Sequence, residues 1–332
     1  MLIIESYIVA VILLFITMIC WGSWANTQKL ASKNWPFQLF YWDYTIGIVL
    51  ISLLFGITIG SSGEEGRSFF EDLGQAAPEA LGYALLGGVV FNIANLLIVA
   101  AIDIAGMAVA FPVGIGLALV VGVLINYIAV PIGDPFLLSL GVGFVTVAIV
   151  LDAVAYRKKS QDKSVSVKGL WISIIGGLLM GFFFRFVAAS VATDYANPQA
   201  GLMTPYSAVF VFAIGIFLSN FIWNTFFMYK PLKGDKVTYR EYFFKGRPKL
   251  HLIGILGGAI WCIGMSFSLI ASEQAGFAIS YGLGQGATMI AAAWGVFIWK
   301  EFEGAPKGIY YLIYAMFVFF LLGLALLIIA RL

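Results

Sequence analysis

Residues 81–116, LGYALLGGVVFNIANLLIVAAIDIAGMAVAFPVGIG, lie over residues 251–286, HLIGILGGAIWCIGMSFSLIASEQAGFAISYGLGQG, at a constant offset of 170 and without a gap. Ten of the 36 positions are identical, including the glycine pairs Gly87/Gly257, Gly88/Gly258, Gly106/Gly276, Gly114/Gly284 and Gly116/Gly286. Shared apolar character would not by itself bring glycines into register. The same alignment sets Asp103 opposite Glu273 at the junction between two apolar runs.

Outward from this stretch, runs of about 20 mostly apolar residues, enough to cross a hydrocarbon layer roughly 30 Å thick, occur near 6–28, 36–60, 80–102, 104–130, 136–155, 169–193, 203–229, 250–272, 274–299 and 307–330. Five runs separate the two copies, so the second copy enters the membrane inverted. The predicted fold is an all-α integral membrane protein of ten transmembrane helices in two inverted five-helix repeats, 1–160 and 161–332. Composition agrees: of 332 residues 61% are apolar and 11% charged, with a mean hydropathy of +0.98, a balance that calls for lipid as solvent. Cys20 and Cys262 both sit in apolar runs, which argues against a secreted disulfide scaffold. Only Glu5 precedes the first run as a charge, so that run reads as a retained helix rather than a cleaved leader.

Lys and Arg divide unevenly between the two ends of these spans, 16 (Lys33, Lys163 and Lys233 among them) against Arg67 and Arg331. Basic residues in short loops resist translocation. This places the 156–168 and 230–249 loops in the cytoplasm and both termini outside, across a plasma membrane.

Inverted repeats are the usual construction of secondary transporters, because two similar halves can exchange conformations around a midplane site; a bare duplication with glycines for close packing is the plainer alternative. Pro112 in the Gly-rich stretch 106–116 is expected to free a carbonyl within its helix. Polar residues inside spans cost free energy unless paired or hydrated. Arg185, in GFFFRF, is placed to meet a substrate anion, to form an internal salt bridge or to snorkel to an interface. Asp43, in YWDYT, is a candidate for proton coupling, with pairing to Arg185 or Lys29 as the structural alternative. Asp152 reads as a solvated interface residue. Trp21, Trp24 and Gln28 share one helical face, suited to stacking on a planar ring or sugar, or to anchoring at the interface. Asn92 with Asn95 and Tyr281 with Gln285 complete the set as solute ligands or interhelical bonds. The run Phe182, Phe183, Phe184 and Phe186 reads as lipid or core contact.

Enzymatic readings lack their residues. His251 is the one histidine and stands at a helix entrance, and no Cys/His set suits zinc. There is no paired carboxylate at matching depth and no GxxxxGK[ST] loop for ATP. The basic loops are explained by topology, without nucleic acid.

A family likeness rests on GSW within CWGSW at 20–24, YWDYT at 41–45, Asn95-Leu96, Asn126-Tyr127, AGFA at 275–278, Gln285 and WGVFIWKEF at 294–302. In their order and spacing the chain resembles the ureide permeases of the drug/metabolite transporter superfamily, with a weaker likeness to its glucose/ribose and rhamnose porters. The resemblance implies a ten-helix bundle whose first four helices in each half line a cavity, with the fifth and tenth outside it. It also implies import of ureides and oxo-heterocycles such as allantoin and uracil, or of sugars, with protons. The matching positions are Trp24, Asp43 and Gln285. Two departures stand out: a central loop cut to 156–168, which looks bacterial and implies a bacterial inner membrane, and Arg185, which favours an acidic solute. The expected partners are a small polar solute, a proton or sodium ion, the bilayer and optionally a second copy of the chain. No cofactor is called for, and an exporter of amphipathic metabolites is the competing transport reading.

Overall fold

The computed structural model describes every residue except Lys33, Gly106, 161–165 and Lys233, and all side chains but those of 103, 107–109, 111 and 160 besides. The expectations placed on Lys33, Lys163, Lys233, Gly106 and the Asp103 side chain lie outside the described residues. The rest is helical: α1 (Tyr7–Ser23), α2 (Ala25–Ala31), α3 (Phe37–Ile57), α4 (Phe69–Gln75), α5 (Pro78–Ala105), α6 (Met107–Ala129), α7 (Pro135–Ser160), α8 (Val167–Ala189), α9 (Pro205–Tyr229), α10 (Tyr239–Lys245), α11 (Pro248–Ala275), α12 (Phe277–Gly284), α13 (Ala287–Ala293), a π-helical turn (Trp294–Ile298) and α14 (Lys307–Ile329). Among the described residues nine helices are long and apolar enough to cross a membrane, α1 and α2 together forming the first. In hydrocarbon every backbone N–H and C=O must be satisfied within the protein, and helices do this within one segment.

The region expected to be the ninth of ten spans, 274–299, is not one helix. Gly276, at φ +82°, starts α12, and the ladder tightens after Tyr281. Gly286 N donates to Leu283 O (2.9 Å), Thr288 N to Gln285 O (3.1 Å) and Met289 N to Gly286 O (2.9 Å), all three-residue steps. Further on, Trp299 N reaches back five residues to Trp294 O (2.9 Å). Pro112, by contrast, sits near the start of α6 without ending it. The break falls in the copy that has no proline, between Gly284 and Gly286.

The helices pair in a matched way. α4 and α10, and likewise α5 and α11, have boundaries displaced by the same 170 residues as the sequence repeat. α5 packs on α8 and α9, while α11 packs on α1 and α3. A Cβ on Gly215 of α9 would collide with Leu85 O, and one on Gly47 of α3 with Ile255 O, the repeat mate of Leu85. Only glycine permits so close a crossing, and small residues are what bring helices together in lipid. α7 and α14 lean on each other at the side of the bundle, through Gly141 and Gly323.

Candidate functional site

A cavity of about 540 Å³ opens among α1, α2, α5, α6, α7, α8, α11 and the broken region 277–298, within the range of about 300–1,000 Å³ that holds small-molecule ligands. One end is closed by rings. Phe91 of α5 and Trp261 of α11, repeat mates, meet at 4.4 Å between centroids, and Trp21 stacks on Trp261 at 5.9 Å and 13°. Phe183 packs against Phe91 at 5.1 Å. From this aromatic layer the cavity extends to Lys29, Ser32, Trp299 and Glu301, at the end of the bundle that carries Arg157, Lys158 and Lys159.

Five of the expected ligands line it: Trp21, Trp24, Gln28, Asn95 and Gln285. Gln285 is buried, and no hydrogen bond to its side chain occurs among the described residues, so both amide atoms are available to a solute. The tight turns around it aim it there. Thr288 Oγ1 donates to Gln285 O (2.9 Å), and Gly284 lets the Trp21 ring lie against the backbone just before it. Asn95 donates to Tyr41 Oη (3.2 Å) and keeps its second amide atom free. Trp24 packs on Tyr44 at 4.9 Å. Trp21 is held by an Nε1 bond to Trp261 O (3.2 Å), which leaves its ring as surface.

Three expected ligands lie elsewhere. Asn92, fully buried, donates to Ile216 O (3.2 Å) and Ser219 Oγ (2.9 Å), joining α5 to α9. Tyr281 donates to Met180 O (3.0 Å) and Ala118 O (3.3 Å), joining α12 to α8 and α6 behind the aromatic layer. Arg185 continues the outward stripe of Trp171, Ile175, Leu178 and Phe182, which repeats at helical spacing. It sits one turn from the end of α8 with no ion pair among the described residues, a placement suited to snorkelling rather than to meeting an anion in the cavity. The phenylalanine run divides: Phe182 is exposed, Phe184 is buried, and Phe183 faces the cavity.

Asp43 does not line the cavity. Its Oδ1 accepts from Tyr242 Oη (2.6 Å) and His251 Nδ1 (2.8 Å), and its Oδ2 from Trp35 Nε1 (3.1 Å). Neither Arg185 nor Lys29 is its partner. Burial, and then the Asp43 carboxylate, push the Tyr242 hydroxyl well up, which keeps it a donor. His251, set aside in sequence as a helix-entrance residue, is thus a ligand of the one carboxylate expected to matter.

Sequence reasoning also missed the cavity's polar end. Lys29 pairs with Glu301 Oε1 (2.7 Å) and lies 4.2 Å from the Trp299 ring centroid, and Trp299 Nε1 donates to Asn26 Oδ1 (2.7 Å). Tyr156 donates to the other Glu301 oxygen (2.5 Å). Burial alone would push the Glu301 carboxyl up, but Lys29 and Tyr156 outweigh it and hold the group below its ordinary value. Asp152, one turn before Tyr156 on α7, is buried and lines the cavity rather than lying in solvent. Their four-residue spacing on one face was the signal that could have paired them.

A membrane-embedded helical bundle enclosing a solute-sized cavity, lined by rings and unpartnered amides, defines a transporter of small polar molecules. The ureide permease family profile matches residues 40–168 and 158–330, the two segments meeting at the loop between α7 and α8. Ureide permease 1 of Arabidopsis thaliana is 22% identical across 98% of both chains, and Ureide permease 5 of the same plant is 24% identical across 98% of this chain and 95% of its own. Transmembrane protein 144 homolog A of Dictyostelium discoideum is 24% identical across 51% of this chain and 41% of its own. The chain belongs to the ureide permease family, which consists of transporters and not enzymes.

Proposed function

We propose that this protein is a secondary active transporter that imports a ureide or related oxo-heterocycle with protons, by alternating access across the plasma membrane. In this reading 277–298 is the broken ninth of ten spans, the halves 1–160 and 161–332 are inverted repeats, and the basic end of the cavity faces the cytoplasm. The matched glycine crossings at Leu85 and Ile255 support the repeat, and the excess of Lys and Arg supports the orientation. The carrying observation is the buried, unpartnered Gln285 amide beside the Trp21 face: an amide pairs with the N–H and C=O edge of a ureide while a flat ring stacks on its plane. With Arg185 away from the cavity and Lys29 taken by Glu301, the site suits a neutral solute better than an acid.

Within this reading Asp43 serves coupling indirectly. It ties α3 to α10 and α11, and weakening those bonds would loosen the crossing at Gly47.

The test is uptake of labelled allantoin into proteoliposomes under an imposed proton gradient. Accumulation in the wild type and its loss in Gln285→Ala are expected. Uptake that ignores the gradient, or a Gln285→Ala variant indistinguishable from wild type, would defeat the proposal, and proton-driven efflux without uptake would favour the exporter of amphipathic metabolites.

A further inference from the structure

We propose that Asp152 is the proton-exchanging group of this cavity, a step that deepens the transport reading and rests on it. Asp152 is 7% exposed and lines the cavity, yet among the described residues no hydrogen bond or ion pair reaches its carboxylate. A buried polar group with no partner is costly, and a buried charge more so. The carboxylate across the cavity and the one at the α3–α10–α11 junction are already satisfied. Glu301 has Lys29 on one oxygen and Tyr156 on the other, and Asp43 has three donors and lies off the lining.

The groups facing Asp152 leave it one inexpensive ligand. Glu301, beyond the π-helical turn, contributes a like charge. Tyr156, on the same face of α7, directs its proton to Glu301, and Lys29 of α2, across the cavity, is neutralised by the same residue. With the cavity open to the outside, a hydronium O–H bond breaks as an O–H bond forms on the Asp152 carboxylate, which removes the unpaired charge and leaves water; with the cavity open at Lys29 and Ser32, the carboxyl O–H bond breaks and the proton passes to the water entering there. The neutral carboxyl then presents a donor and an acceptor to a solute stacked on Trp21 and Trp24, so that proton and solute are held by one wall of the cavity.

The experiment has two arms. Infrared difference spectra of the purified protein in lipid nanodiscs, between about pH 8 and about pH 5 and without solute, should show a carboxyl C=O band that disappears in Asp152→Asn and persists in Asp43→Asn. In proteoliposomes, with allantoin as the probe, the ratio of proton-driven uptake to solute counterflow should fall about tenfold in Asp152→Asn, within the roughly 5–150-fold span of typical coupling. Asp152→Glu, which keeps a carboxyl at the same place, should restore both signals and exposes any loss due to misfolding. A band that survives in Asp152→Asn, an unchanged ratio, or uptake driven by sodium with no such band overturns the proposal. If wild type moves no allantoin at all, the ureide reading fails while the infrared arm still decides whether Asp152 takes up the proton.

Discussion

Leu85 and Ile255 hold the same register in α5 and α11, and each receives a glycine of a crossing helix against its carbonyl, Gly215 in one case and Gly47 in the other. Thirty residues later Ile115 and Gln285 again hold the same register, and both line the cavity, but one is a hydrocarbon and the other an unpartnered amide. The short helices α4 and α10 differ in the same way. Asp72 on α4 is buried, accepts from Arg67 Nε (2.8 Å) and Thr204 N (2.7 Å), and so carries a permanent cation. Its repeat mate Tyr242 on α10 instead donates to Asp43, whose other partners are His251 and Trp35. Positions related by the 170-residue offset therefore stay alike where backbones touch and diverge where side chains line the cavity or meet a carboxylate. Backbone contact tolerates only glycine, whereas a cavity wall or a docking side chain accepts any residue that fits.

The sharpest way to break this comparison is at the two short helices. Asp72→Ala should cost about 3 kcal/mol, at the low end for removing one partner of a buried pair, because the buried Thr204 amide loses its acceptor while the part-buried Arg67 keeps its bonds to the Pro198, Gln199 and Leu202 carbonyls. Asp43→Asn keeps the shape but removes the charge and replaces one acceptor oxygen with an NH2 donor, so the side facing Trp35 Nε1 can no longer accept, and about 1.5–3 kcal/mol is expected. Equal shifts in detergent melting curves would mean that the arginine-locked and histidine-held ends are not different in kind.

The crossings offer the next test. Gly47→Leu and Gly215→Leu should each destabilise by about 1–3 kcal/mol through overpacking, and the repeat requires that their melting shifts agree closely. A large effect at only one of them would show that the matched register is not matched packing.

At the cavity the comparison is sharpened by exchanging the residues. Gln285→Ile should weaken allantoin binding about tenfold, the loss of roughly 1.4 kcal/mol in directed hydrogen bonding, as read by isothermal titration. Ile115→Gln should shift preference among ureides without abolishing transport. A Gln285→Ile variant that binds normally would move recognition to Asn95 or Gln28.

The smallest effect belongs to the ion pair at the basic end. Glu301 is held below its ordinary carboxyl value of 4.5, so its contribution is complete above that pH and is lost as pH falls through the lowered value. Lys29→Gln should flatten this acid-side decline in melting temperature. The change at neutral pH should stay under about 1 kcal/mol, since both side chains are partly exposed.

Each of these residues shows how far the chain could be read unaided. The helices, nine of the ten expected spans among the described residues and the 170-residue offset of the α4/α10 and α5/α11 boundaries were legible because hydropathy and glycine register are written along the chain, and because lipid leaves the backbone few choices. Trp21, Trp24, Gln28, Asn95 and Gln285 were identifiable as polar or aromatic misfits sharing helical faces, and the structure brings these five to one cavity. Which misfits face inward could not be read. Arg185 and Asn92 are as conspicuous in sequence as Gln285, but rotation about a helix axis is set by the helices it crosses. The α8 stripe carries Arg185 outward, and the α5–α9 crossing consumes Asn92. Only the tertiary structure put His251 on Asp43 across 208 residues, and only it left Asp152 without a partner. Spacing along one helix says which side chains are neighbours, and packing between helices decides what they meet.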